Sequence, residues 1–249
     1  MENRIGFALI VFLAAGSFAC NQKPAATFRP ANFFPLKPNM AWTYRVISQS
    51  QQTRYVVTDE VVGSEYIPSL ELTGDVVQEY YDLDRGGLRP IVYYRRDGYL
   101  TRLSGLDYTM SEINSPNWGR SEEMNFLPQR LGPNESWDNT LFPYGRMPGS
   151  FNITQTHKTF FDPDEVTVPA GKFSGCIRIE TSAEYHGGMY DQQKKTLTLT
   201  YVDWYAPNVG LIRTVAYEGK KGHEIERVEL THFNRDVRTA EAARVRTPG

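Results

Sequence analysis

The first residue whose chemistry can be named from its neighbours is Cys20. Asn3-Arg4 gives a short, weakly positive start, Ile5 to Ala15 is an almost unbroken apolar run, and Gly16-Ser17-Phe18-Ala19 brings small residues up to the thiol. The apolar run is too short to span a bilayer comfortably, so a cleaved export signal over residues 1–19 is expected rather than a permanent anchor. Two processing chemistries fit. In a bacterial lipoprotein signal the thiol at Cys20 receives the lipid. Ala19 matches the position before such a cysteine, while Ser17 and Phe18 depart from the usual pattern. In ordinary signal-peptidase cleavage, Ser17-Phe18-Ala19 satisfies the small-x-small rule and Cys20 is merely the first mature residue. Residues 20–32 favour lipidation, because they are polar, hold Pro24 and Pro30, and lack helix or strand periodicity, as suits a tether.

The remaining reactive side chains form no motif. Cys176 is the second of two cysteines, so lipidation of Cys20 leaves it unpaired. It lies in an apolar, strand-like stretch with no adjacent base, where a cysteine is ordinarily a small buried apolar group. Four histidines, His157, His186, His223 and His232, show no paired zinc-ligand spacing. The acidic runs Asp162-Pro163-Asp164-Glu165 and Asp82-Leu83-Asp84 offer oxygen ligands to calcium, but neither has the ligand count of a known loop. A glycosidase-type carboxylate pair would have to be assembled in space. No nucleophile elbow, phosphate loop or dinucleotide fingerprint is present. No catalytic residue, metal or cofactor is therefore expected.

Aromatic residues are the other conspicuous resource. Tyr80-Tyr81, Tyr93-Tyr94, Tyr99, Tyr108, Phe160-Phe161 and Trp204-Tyr205 supply rings to both faces of several strands. In each adjacent pair one ring must face away from the other. These rings fit a core with cross-strand pairs outside. They also fit a concave face that takes an apolar or sugar-like ligand or a partner protein.

The elements that must position these groups are strands. Alternation and turn residues mark 42–47, 54–62, 76–83, 91–96, 99–103, 151–160, 165–168, 176–185, 196–201 running on into Trp204-Tyr205, 211–217 and 224–233. Asp97-Gly98 reads as a tight hairpin turn. The middle, Ser104 to Gly149, is rich in Asn, Pro and Gly and predicts long loops with short strands, a suitable mouth for a cavity. Pro38-Asn39-Met40-Ala41-Trp42 and Pro133-Asn134-Glu135-Ser136-Trp137 share Pro-Asn-x-x-Trp. The echo fits two related halves of one sheet, and equally turn chemistry reached twice. One β domain over 33–234 follows, with a charged, Ala-rich flexible tail at 235–249. Net charge is −2, so no global field points to nucleic acid. Lys194-Lys195 and Lys220-Lys221 read as solvated turn charges.

Three segments together resemble a group of uncharacterised bacterial lipoproteins with FPL-x-x-G/N-x-x-WTY, VPAG-x-F and YAP-x-VGL signatures. They are Phe34-Pro35-Leu36-Lys37-Pro38-Asn39 leading into Trp42-Thr43-Tyr44, Val166-Thr167-Val168-Pro169-Ala170-Gly171-Lys172-Phe173 leading into Cys176, and Trp204-Tyr205-Ala206-Pro207-Asn208-Val209-Gly210-Leu211-Ile212-Arg213. The resemblance implies an antiparallel, strongly curved sheet or half-barrel, like that of periplasmic lipoprotein carriers, and transfers no catalytic residue. Asn21 after the cysteine resembles the sorting pattern for the outer membrane rather than the inner. The sequence thus predicts a non-enzymatic lipoprotein, acylated at Cys20 and facing the periplasm. It would bind a hydrophobic ligand or serve as an accessory subunit of an envelope complex. The alternatives are a soluble secreted or periplasmic protein, a secreted hydrolase with a spatially assembled site, and a purely structural surface protein.

Overall fold

Strict alternation of inward and outward residues, interrupted by short turns, builds a meander in which nearly every strand pairs with its sequence neighbour. A computed structural model describes residues 33–49, 52–67, 71–82, 87–104, 122–142, 152–162, 164–186, 197–220 and 222–234. The expected signal (1–19), tether (20–32) with Cys20, and tail (235–249) lie outside the described residues, as does Tyr108. Among the described residues no helix is long and apolar enough to cross a membrane.

The first six strands are β1 (Ala41–Ser48), β2 (Thr53–Ile67), β3 (Leu72–Tyr81), β4 (Gly87–Arg96), β5 (Tyr99–Ser104) and β6 (Glu122–Pro128). The next four are β7 (Ser136–Leu141), β8 (Asn152–Phe161) and the short hairpin β9 (Val166–Val168) and β10 (Gly171–Phe173). The last four are β11 (Ile177–His186), β12 (Leu197–Ala206), β13 (Gly210–Glu218) and β14 (Glu224–Asn234). Twelve of them form one antiparallel sheet, ordered β6-β5-β4-β3-β2-β1-β14-β13-β12-β11-β8-β7, with β9–β10 apart. The expected all-β curved sheet is observed, and it curls further than a half-barrel, into a nearly closed barrel. The predicted strands are present, with β3 starting earlier, at Leu72. The irregular middle contributes β6 and β7. Asp97 and Gly98 both adopt positive φ, 47° and 84°, as a two-residue hairpin turn requires.

Closure has two different joints. β1 and β14 are joined by a backbone ladder running from Ala41–Asn234 to Ser48–Glu226. Among the described residues no such ladder joins β6 to β7. Side chains bridge that joint instead. Trp137 Nε1 donates to the Asn125 carbonyl at 2.9 Å, and the Asn139 side chain accepts from Asn125 N–H at 3.0 Å and donates to its carbonyl at 3.1 Å.

A barrel of eight strands can be filled by its own wall, whereas a wider one leaves space that something must occupy. At one end that filler is the three recognised segments. Phe34 meets the rings of Trp42, Tyr93, Phe126 and Tyr205 at centroid distances of 4.9 to 6.5 Å. The β9–β10 hairpin sends Val166 and Val168 into the same buried cluster, and the Ala170 N–H bonds the Leu230 carbonyl at 3.0 Å. The β12–β13 turn offers its Val209 carbonyl to Trp42 Nε1. Gly210 there has φ 112°, and a Cβ on it would stand 3.2 Å from Trp42 Nε1. The three segments therefore share one structural role, as an end plug.

Both Pro-Asn turns adopt one geometry. Asn39 and Asn134 sit at φ 68° and 63°. Asn39 N–H bonds the Val61 carbonyl and Asn134 N–H the Thr159 carbonyl, while Val61 and Thr159 return bonds to Met40 and Glu135. Trp42 and Trp137 then both enter buried positions, 3% and 5% exposed.

Candidate ligand-binding lumen

Above the plug the barrel keeps a cavity of about 530 Å3, within the usual range for small-molecule sites. Its lining follows from strand parity. On β4, Arg89 shares the inward face with Ile91 and Tyr93, and on β5, Arg102 lies directly across from Tyr93. β6 adds Met124 and Phe126, β7 adds Trp137 and Leu141, and β8 adds Ile153, Gln155 and His157. β11 contributes Ile179, Thr181 and Tyr185, and β12 contributes Tyr201, Asp203 and Tyr205.

The two halves carry different chemistry around it, and of the first row only Arg89 reaches the lining. Register sets Trp42 across from Asp59, Asp59 across from Glu79, and Glu79 across from Arg89. In the second half the corresponding row is Trp137, His157, Thr181 and Tyr201. The first row is charged and the second neutral.

In the charged row, Arg89 reaches Glu79 at only 4.0 Å, and Glu79 also accepts the Tyr81 hydroxyl. Burial pushes the Asp59 carboxyl up to about 7, with Glu79 adding to the shift and Arg102 opposing it. Burial works against the charge of Arg102, but Tyr93, Glu79 and Asp59 outweigh it and hold the guanidinium above its ordinary value. The Nε atoms of Arg89 and Arg102, Oδ1 of Asp59 and Oε1 of Gln155 are buried without hydrogen-bond partners. Across the lumen, burial pushes Asp203 up to about 6, although it accepts a 2.7 Å bond from the Thr214 hydroxyl.

In the neutral row, the Trp137 ring stacks on His157 at 4.8 Å. Asn139 Nδ2, whose orientation the Asn125 backbone fixes, donates to His157 Nε2 at 3.0 Å. His157 Nε2 must then accept, so the proton rests on Nδ1 and is donated to Thr181 Oγ1 at 2.8 Å. Burial pushes His157 down to about 4, with Asp138 opposing. The Tyr185 and Tyr201 hydroxyls, nearer the end opposite the plug, bond each other at 2.9 Å.

The other candidates from the sequence fall apart in space. Cys176 is 1% exposed, bonds the Phe173 carbonyl, and is pushed up to about 11 by burial and by Asp162. His186 sits beside Glu184 and Thr154, away from His157. Asp162 accepts from Trp204 Nε1, and Glu165 pairs with Lys172 at 3.2 Å across the β9–β10 hairpin. Among the described residues no group of three His, Cys, Asp or Glu gathers to hold a metal. The ring pairs divide as expected. Tyr81, Tyr93 and Tyr205 turn inward, Tyr80 is exposed, and Trp204 and Phe160 lie outside under Arg213 and Arg178. Sequence reasoning missed Arg89, Arg102, Asp59 and Asp203. The available signal was a charged residue at the apolar parity of its strand, as with Asp59 between Val57 and Val61.

The DUF3108-like family matches residues 127–230, a stretch short of half the chain that covers β7 to β13 and most of β14. Among curated proteins, none matches the chain. Two crystal structures are similar. One is a presumed lipoprotein from Parabacteroides distasonis, at 18% identity and TM-score 0.46, covering 81% of this chain and 98% of that one. The other is a presumed exported protein with a YmcC-like fold from Bacteroides fragilis, at 15% identity and TM-score 0.42, covering 82% of this chain and 99% of that one.

Proposed function

We propose that the chain is a non-catalytic, exported β-barrel of the bacterial envelope, held to a membrane through lipid at Cys20, whose lumen binds a hydrophobic ligand. The observation that carries the binding role is the cavity of about 530 Å3 between plug and open strand ends, walled by Met124, Phe126, Leu141, Ile153 and Ile179. Apolar surface of this kind inside a barrel gains by covering a ligand's apolar surface. The non-catalytic reading is supported by His157, whose two ring nitrogens are both engaged, and by Cys176, whose thiol is shifted away from the thiolate. Export and anchoring rest on the apolar run, the small residues and the polar tether around Cys20.

Two measurements test the two parts. An environment-sensitive apolar dye, N-phenyl-1-naphthylamine, should brighten on binding, and Ile179→Trp, which fills the lumen, should abolish the signal while the fold persists. Equal brightening in both proteins removes the lumen from the account. The mature protein should partition into the detergent phase, and Cys20→Ser should move it to the aqueous phase. Unchanged partitioning rejects the anchor.

A further inference from the structure

We infer that the lumen's ligand is an oxyanion-headed amphiphile, a single apolar chain ending in a carboxylate or phosphate monoester, and that Arg102, assisted by Arg89, receives the head. The inference rests on the lumen being a ligand site and adds the polarity of what enters it.

Three observations carry it. First, the lining is segregated. The two cations come from β4 and β5, while the wall from β6, β7, β8 and β11 carries Phe126, Leu141, Ile153 and Ile179 together with the uncharged polar groups of Gln155, His157 and Thr181. A purely apolar ligand would cover the two guanidinium groups with hydrocarbon and strip the water they keep, which is costly for a charge. Second, both arginines line the cavity, while their Nε atoms lie buried within its wall. A guanidinium presents its donors in a planar fork that matches paired oxyanion oxygens. Third, the carboxylates that offset Arg102 do so from the charged row and not from the lining of the cavity. Asp59 and Glu79 stand in the charged row beside the arginines without lining the cavity, and Glu79 meets Arg89 at only 4.0 Å. Asp203 is the one carboxylate among the described lining residues, on the opposite wall, and one of its two oxygens accepts from the Thr214 hydroxyl. A cationic head would find one carboxylate among the described lining residues, whereas an anionic head finds two arginines.

The test is displacement of N-phenyl-1-naphthylamine from the full chain carrying Cys20→Ser, using four ten-carbon probes: decanoate, decyl phosphate, decanol and decyltrimethylammonium. Either decanoate or decyl phosphate should displace the dye at about tenfold lower concentration than decanol, the worth of one charge-assisted hydrogen bond. The tighter of the two names the head. Arg102→Gln should bring the anion within about twofold of the alcohol, and Arg89→Gln should cause a smaller loss in the same direction. Should Arg102→Gln alone fail to fold, Arg102→Gln combined with Asp59→Asn keeps the charge balance and serves the same comparison. Parity between decanol and both anions, or tightest binding of decyltrimethylammonium, overturns the inference while leaving the lumen a ligand site. Failure of the dye and every probe to bind overturns both.

Discussion

The two halves of the barrel begin alike and end in different chemistry. Each opens on a Pro-Asn turn and sends a tryptophan inward, and each sets a buried titratable group across from that tryptophan. For Trp42 the neighbour is Asp59, pushed up to about 7, and for Trp137 it is His157, pushed down to about 4. Trp42 belongs to a strand held on both sides by backbone ladders, and its indole bonds the β12–β13 turn. Trp137 belongs to an edge strand whose other side, among the described residues, is closed by bonds that side chains make. One architectural unit thus serves as the anchor of a plug in the first half and as the clasp of a seam in the second. The lesson is that a local signature fixes where a side chain goes, whereas the partner across the sheet fixes what it does.

That contrast yields measurable differences. The largest should come from Trp42→Ala, costing about 3–5 kcal/mol in denaturant unfolding, because it empties a site enclosed by Phe34 and Gly210. Trp137→Ala should cost less, since Trp137 borders space that already exists. The reverse order would break the comparison. Next is the opposite pH response of the two neighbours. Asp59 holds its proton in the folded state up to about 7 against 3.8 in the unfolded chain, so stability falls as pH rises between those values. Asp59→Asn should flatten that limb, worth on the order of 3 kcal/mol. His157 is neutral in the folded state down to about 4 against 6.5 in the unfolded chain, so its contribution is complete above 6.5 and is lost as pH falls toward 4. His157→Gln should flatten this acid limb, on the order of 2 kcal/mol. Melting temperature against pH reads both limbs, and identical slopes in wild type and variants would remove the titration argument.

A smaller effect is expected from Asn139→Ala, which cuts the clasp and unpartners His157 Nε2, costing about 1–3 kcal/mol. Amide exchange should accelerate on β6 and β7 and stay unchanged across β1 and β14. Uniform acceleration would mean the seam is not a separate joint. The smallest is Gly210→Ala, about 1–2 kcal/mol, from its φ of 112° and the approach of Trp42. It should perturb Trp42 fluorescence and leave Trp137 unaffected.

The sequence by itself determined the strands, because alternation between Trp42, Tyr44 and Val46, or between Leu197, Leu199 and Tyr201, is a local property of a pleated chain. It also determined the turns at Asn39, Asp97-Gly98 and Asn134, where the residue type itself tolerates positive φ. Only the tertiary structure decided that twelve strands would curl far enough to leave a lumen, since closure depends on the summed twist and register of the whole sheet. Only it decided that the three recognised segments meet at one end, that Asn139 would lock His157, and that Arg89 and Arg102 would face one cavity. Those pairings join residues from strands far apart in the chain, and no local pattern records which strand a side chain will meet across the barrel.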